Sequence, residues 1–206
     1  MTQFALCVGI NKFENLPMAS WLNGCVNDAN DVRELLASGF GFADASITVL
    51  TDQAATKDAA FGAMTEALDR ANAPGEHLDH IVFTMSSHGT QLPDTSGDEA
   101  DQVDEAFATY DLRQNGAAWD PGSLIVDDEL HDLFARLPKG VLVDVILDTC
   151  HSGAFTHFLL DALQSGSSRG EVIKQVNAKL RARKFAQRAQ LEASALGKST
   201  AWGTAF

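Results

Sequence analysis

Cysteine is scarce: Cys7, Cys25 and Cys150 are the only three in 206 residues, odd in number and far apart. That excludes a disulfide-dense secreted scaffold and points to free thiols in a reducing, cytoplasmic compartment. Long apolar runs are also missing. The longest, Ile81–Met85 and Val141–Leu147, have strand length and fall far short of the roughly 18 residues a membrane span needs. The opening MTQFALCVGIN lacks a basic start followed by a long apolar core, so no secretory signal is expected there. Basic residues are in deficit: 15 Lys and Arg against 28 Asp and Glu give a net charge of −13, which argues against general nucleic-acid binding. No internal repeat occurs, and low-complexity sequence is confined to GDEADQVDE and SGSS. What is present is an ordinary globular composition, 45% hydrophobic and 21% charged, which excludes collagen and wholesale disorder.

Apolar runs and helical stretches alternate. Phe4–Ile10, Ser46–Thr51, His80–Ser86 and Val141–Asp148 read as strands, nearly continuous in apolar character, as expected when both faces of a sheet are covered. Asn27–Ser38 reads as a helix ended by Gly39 and Gly41. A second helix is capped by Thr56 and stopped by Pro74-Gly75, and a third runs from Asp127, as its cap, to Leu137. The stretch from Thr90 to Gly122 reads as loop with short strands. The pattern predicts a three-layer α/β fold, a mainly parallel sheet with helices on both faces. Charge divides unevenly along it. Residues 94–128 hold ten acids against one base, Arg113, whereas residues 169–198 hold eight bases against two acids. The chain is therefore read as a main domain over residues 1–164 and a basic helical segment or linker over 165–206.

In open α/β sheets ligands bind beyond the carboxyl ends of the strands. His88 follows one strand in Ser86-Ser87-His88-Gly89, and Cys150 follows another in Asp148-Thr149-Cys150-His151. If those strands are neighbours, an imidazole meets a thiol, the pairing a thiol needs to act as a nucleophile near neutral pH. Gly89 permits close backbone approach, so its N–H and that of Cys150 are candidate oxyanion donors. A lone buried cysteine is otherwise a small hydrophobe, the reading given to Cys7. His77 and His80 have ligand-like spacing but lack matching cysteines, and are read as surface histidines.

The SSHG and DTCHSG segments resemble those of caspase-like cysteine peptidases of family C14, in the metacaspase and bacterial orthocaspase branch. ALCVGINKF, GCVNDANDVRELL, LTDQAAT, DEAFATYD and IVDDEL extend the likeness, in family order, over residues 4–153. The glutamine-alanine that precedes the cysteine of true caspases is absent. The resemblance implies a caspase-like, p20-like catalytic domain, with His88 as general base and Cys150 as nucleophile in an endopeptidase. It implies protein substrates cut after Arg or Lys, with Cys25, Asp28, Ser86 and Asp148 in the substrate pocket. Two carboxylates there suit a guanidinium. It further implies activation by calcium, at Asp104, Asp127 and Asp128, although the family's further aspartate falls near His157. An EF-hand-like run, Asp94, Ser96, Asp98, Gln102 and Glu105, has Glu99 where such a loop needs glycine. The family's smaller second portion, p10-like, is not recognised after Gly153: either the chain ends at a processing site, the p10-like portion is separate, on another polypeptide, or this branch lacks it. Arg169, in the small-residue stretch SGSSRG, is the expected exposed self-cleavage site. Two other readings compete: an inactive caspase-like binding or scaffold module, and a calcium-binding regulatory domain.

Overall fold

The computed structural model describes residues 2–75, 77–93, 103–149, 159, 162–163, 168–183 and 198–199. Four parallel strands make the main sheet: β1 (Gln3–Gly9), β2 (Ile47–Thr51), β3 (His80–Ser86) and β9 (Leu142–Asp148), in the order β2-β1-β3-β9. Every residue of β3 is buried, as its nearly continuous apolar run requires of a strand covered on both faces. The register sets Gly9 against Ser86 and Ser86 against Asp148, so three strand ends lie side by side.

Helices cover both faces. On one, α2 (Lys57–Asn72) packs over a core with Phe4, Leu6, Val8, Ile81, Phe83 and Met85, to which α3 (Asp127–Ala135) adds Leu130 and Leu133. The Thr56 side chain caps α2 by accepting the Ala59 N–H at 3.2 Å. On the other, α1 (Cys25–Phe40) packs over Ala5, Cys7 and Val82. A small antiparallel sheet of β4 (Gly89–Pro93), β5 (Val103–Ala108) and β8 (Leu124–Val126) extends the first core. A hairpin, β6 (Gln114–Asn115) with β7 (Ala118–Trp119), completes the acidic region. The cap of α3 is Val126 rather than Asp127, which is already helical. The Glu129 carboxylate accepts the Val126 N–H at 3.0 Å, tying off the first turn.

The basic segment corrects two expectations. Residues Arg169–Ala182 form α4, whose Val172, Val176 and Leu180 repeat at i, i+4, i+8 and bury into the α1-side core. Arg169, expected exposed, is only 4% exposed. Its guanidinium donates to both Asp144 oxygens, Nε to Oδ1 at 2.7 Å and a terminal nitrogen to Oδ2 at 2.9 Å. His80, expected on the surface, is fully buried and meets Asp144 Oδ2 through Nε2 at 2.8 Å. Burial alone would raise the Asp144 pKa. Hydrogen bonds from Arg169 and His80, and their charge, outweigh it and hold the carboxyl below the usual carboxylate range. Lys184, Arg188 and the rest of residues 184–197 lie outside the described residues. No described helix is long and apolar enough to cross a membrane.

Candidate active site

From β1 the chain proceeds to β2 on one side and, after β2, to β3 on the other. Such a reversal opens a crevice at the carboxyl ends of the strands. Helix α1 starts in that crevice because Gly9 lets it. A Cβ at Gly9 would collide with the Cys25 carbonyl and come within 2.9 Å of the Ala29 Cβ. Its first turn carries Asp28 over the end of β3, where the Ser86 hydroxyl donates to Asp28 Oδ2 at 2.9 Å. Asp148 ends β9 directly opposite Ser86 and is 4% exposed. Asp28, Ser86 and Asp148 line one pocket, with Val8, Val32 and Ile146 as its apolar walls.

Cys25 opens α1 beside the same pocket. Burial pushes its thiol up to about 11. A hydrogen bond with Ser86 counters this, and the charges of Asp28 and Asp148 add to it. At neutral pH Cys25 is thus a thiol rather than a thiolate nucleophile. Cys7, in the interior of β1, is likewise raised to about 11 by burial. The four residues expected in a substrate pocket are therefore neighbours.

His88 lies just past β3. Its flanks are pinned: Ser87 N–H donates to Asp148 O at 3.1 Å, Ser87 Oγ to Ala108 O at 2.6 Å, and Ala108 N–H to His88 O at 2.9 Å. The ring stacks at a tilt on Phe13, centroids 5.0 Å apart. Nε2 lies 2.7 Å from the Ser20 carbonyl oxygen. A carbonyl only accepts, so Nε2 carries the proton and Nδ1 is the acceptor of the neutral ring. The next residue, Gly89, donates its N–H to Thr149 O at 3.2 Å, which places His88 one residue from a contact with the segment leading into Cys150. A Cβ at Gly89 would stand 3.0 Å from the Thr149 Cβ and Oγ1, so this approach needs glycine. Because that N–H is bonded to Thr149, Gly89 serves an oxyanion only if the bond opens. Cys150 itself, like His151 and His157, lies outside the described residues.

The expected calcium residues are less convergent. Asp104 is buried on β5, while Asp127 and Asp128 are half-buried in the first turn of α3. Asp127 Oδ1 accepts the Asp128 N–H at 3.0 Å. Among the described residues no three acidic, histidine or cysteine side chains are grouped to hold a metal. Of the EF-hand-like run only Glu105 is described, exposed on β5. Sequence reasoning missed the Ser20 carbonyl and Phe13. The first is a backbone group with no side-chain signature, and the second reads as ordinary core.

Comparison with known proteins shows the family. Residues 3–159 match the family model described as metacaspase, peptidase C14 domain. Metacaspase-1 of Cryptococcus neoformans var. neoformans is 36% identical over 180 residues, covering 84% of this chain and 35% of that protein. Metacaspase-1 of Saccharomyces cerevisiae is 31% identical over 176 residues, covering 84% of this chain and 37% of that protein. The chain thus spans about a third of the length of the curated relatives it matches. A crystal structure of a protein from Geobacter sulfurreducens superimposes with a TM-score of 0.55 at 29% identity, covering 93% of this chain and 68% of that one.

Proposed function

The chain belongs to the metacaspase group of the C14 peptidases, and from that membership we propose that it is a cysteine endopeptidase cleaving after Arg or Lys. One observation carries the reading. His88, its tautomer set by Ser20, stands at the strand end beside Thr149, next to a pocket holding two carboxylates. In the proposed reaction His88 Nδ1 takes the Cys150 thiol proton, and the thiolate attacks the scissile carbonyl. The histidinium then protonates the leaving amine as the C–N bond breaks, leaving a thioester. Water, deprotonated by the same nitrogen, attacks the thioester. The carboxylic acid leaves and the thiol regains its proton. The P1 guanidinium or ammonium sits between Asp28 and Asp148, where charge-assisted bonds favour a planar, forked Arg over Lys.

The finer parts of the proposal rest on the family likeness. Activation by calcium at Asp104, Asp127 and Asp128 is proposed from that likeness, and among the described residues no three acidic, histidine or cysteine side chains are grouped to hold the ion. Self-cleavage in the basic tail is proposed from the same likeness; Arg169, the expected site, is buried in its ion pair with Asp144 and must leave it to be cut. A separate p10-like portion is proposed from the same likeness; among the described strands β9 pairs only with β3, which leaves an edge such a portion could extend. The thiols of Cys7 and Cys25 are free, in keeping with a reducing cytoplasm.

The test is hydrolysis of fluorogenic peptides ending in Arg, Lys or Asp, with calcium and with chelator, beside Cys150→Ala. Cleavage after Arg or Lys that is lost in Cys150→Ala is expected. Cleavage after Asp, or cleavage that survives in Cys150→Ala, refutes the reading.

A further inference from the structure

Among the described residues Asp52 is the only non-glycine with a positive φ, at 43°. Such a conformation costs of order 1 kcal/mol or more and persists where surrounding contacts enforce it. Here they do. Asp52 follows β2, and its Oδ1 accepts two backbone N–H groups from the loop after β1: Asn11 at 2.8 Å and Lys12 at 3.0 Å. That loop doubles back on itself. Leu22 N–H donates to Asn11 O at 2.8 Å, and the Lys12 ammonium stands 6.0 Å from the centre of the Trp21 ring. Between these two attachments a short turn, Met18–Ser20, presents the Ser20 carbonyl to His88 Nε2. The turn itself is largely exposed, Met18 by 75%, and the stretch before it is held as well by Glu14 N–H to Tyr110 O at 2.9 Å, by Asn15 Nδ2 to Leu112 O at 3.1 Å and by buried Phe13, so Asp52 is the anchor at the point where the loop leaves β1.

We propose that Asp52 is a positioning residue for catalysis: its carboxylate anchors the base of the β1–α1 loop, so that the Ser20 carbonyl holds His88 in the tautomer with Nε2 protonated. This rests on the peptidase reading for its consequence on rate, but not for its consequence on the imidazole. Asp52 touches neither substrate nor nucleophile in this scheme. It acts through the Asn11–Leu22 link and Ser20. If the carbonyl shifts, His88 loses both its orientation and its preference for one tautomer. A displacement of about 1 Å in a reacting group is enough for about a hundredfold loss of rate.

Three proteins separate this role from simple stabilisation. Asp52→Gly accepts the positive φ but removes the acceptor. Asp52→Asn accepts the same φ and keeps an oxygen for the two N–H groups. Imidazole ¹⁵N shifts, with His88 assigned by loss of its signals in His88→Gln, report the tautomer without any turnover. Wild type and Asp52→Asn are expected to show His88 protonated at Nε2, and Asp52→Gly a mixture. In the fluorogenic assay Asp52→Gly is expected to lose about ten- to a hundredfold in kcat with KM within about twofold, and Asp52→Asn to stay within about threefold of wild type. A folded Asp52→Gly protein that keeps the single tautomer overturns the proposal, even if its Tm falls. So does an Asp52→Asn protein as impaired as Asp52→Gly. If the wild type cleaves no peptide, the peptidase reading fails, and the imidazole spectra still decide the role of Asp52.

Discussion

Replacing Asp144 by Asn should be the most costly single polar change in the described part of the fold. The Asp144 carboxylate accepts both limbs of the Arg169 fork, at 2.7 and 2.9 Å, and the His80 Nε2–H at 2.8 Å. Arg169 is 4% exposed and His80 not at all. An amide supplies one oxygen for these three donors and turns its own NH₂ toward the others. It also removes the charge opposite a buried guanidinium, a loss of about 3–5 kcal/mol. Against a typical total of about 5–15 kcal/mol that is a large fraction, easily read in urea unfolding at pH 7. The companion is Asp144→Leu with Arg169→Met. Removing both ions removes their desolvation cost, so the double variant should recover most of the loss. A remainder of about 1–3 kcal/mol is expected, because the buried His80 donor then lacks its acceptor. The pH dependence has a defined sign. The folded pKa of Asp144 is depressed, so its contribution is complete above the unfolded carboxyl value, about 3.9. It is lost only as pH falls from there through the lower folded value. The gap between wild type and Asp144→Asn should therefore be constant near neutrality and close below about pH 4. A single-variant cost under about 1 kcal/mol, or a double variant as unstable as the single, refutes the reasoning.

Other perturbations follow from the site. Gly9→Ala drives a methyl into the Cys25 carbonyl and the Ala29 Cβ. It should cost at least about 1–3 kcal/mol by thermal unfolding and weaken binding of Arg-ended peptides, because α1 carries Asp28. Gly89→Ala meets Thr149 at 3.0 Å and should reduce peptidase turnover about tenfold or more while shifting Tm only slightly, a split read by paired kinetics and melting. In Cys150→Ala protein, iodoacetamide at pH 7.5 should label neither Cys7 nor Cys25, both raised to about 11 by burial, until denaturant is added. Mass spectrometry showing native labelling at the rate of a free thiol would contradict that. Asp28→Asn should raise KM for Arg-ended peptides by about tenfold with a smaller change in kcat, since it removes one of two carboxylates from the pocket.

Much of the frame is written locally. The bounds of β3 coincide with its apolar run, and α2 begins after Thr56 and ends before Pro74-Gly75, because strand burial and helix capping act over a few residues. In the sequence Cys25, Asp28, Ser86 and Asp148 come together only through the family resemblance, and the fold supplies the reason they meet. Each sits at the end of a strand or the start of a helix, and the parallel order brings those ends together. His80 and Arg169 were misread because their surroundings are not local. Asp144 lies 64 residues from one and 25 from the other, and only the fold reveals that a basic segment carries a buried anchor at its first turn. The Ser20 carbonyl is invisible by nature, since every residue has one.

Strand β9 gives this architecture a practical property. Asp144 and Asp148 lie four residues apart on it, on the same face and about 13 Å from each other. The first fastens α4 to the sheet, and the second lines the pocket proposed for the P1 side chain. A strand is stiff along its length, yet its two ends contact different neighbours. Adaptation can therefore redraw the pocket at one end while the fastening at the other keeps the molecule folded. A library that varies positions 28, 86 and 148 and leaves 80, 144 and 169 fixed would explore new cleavage preferences on a scaffold that tolerates the search.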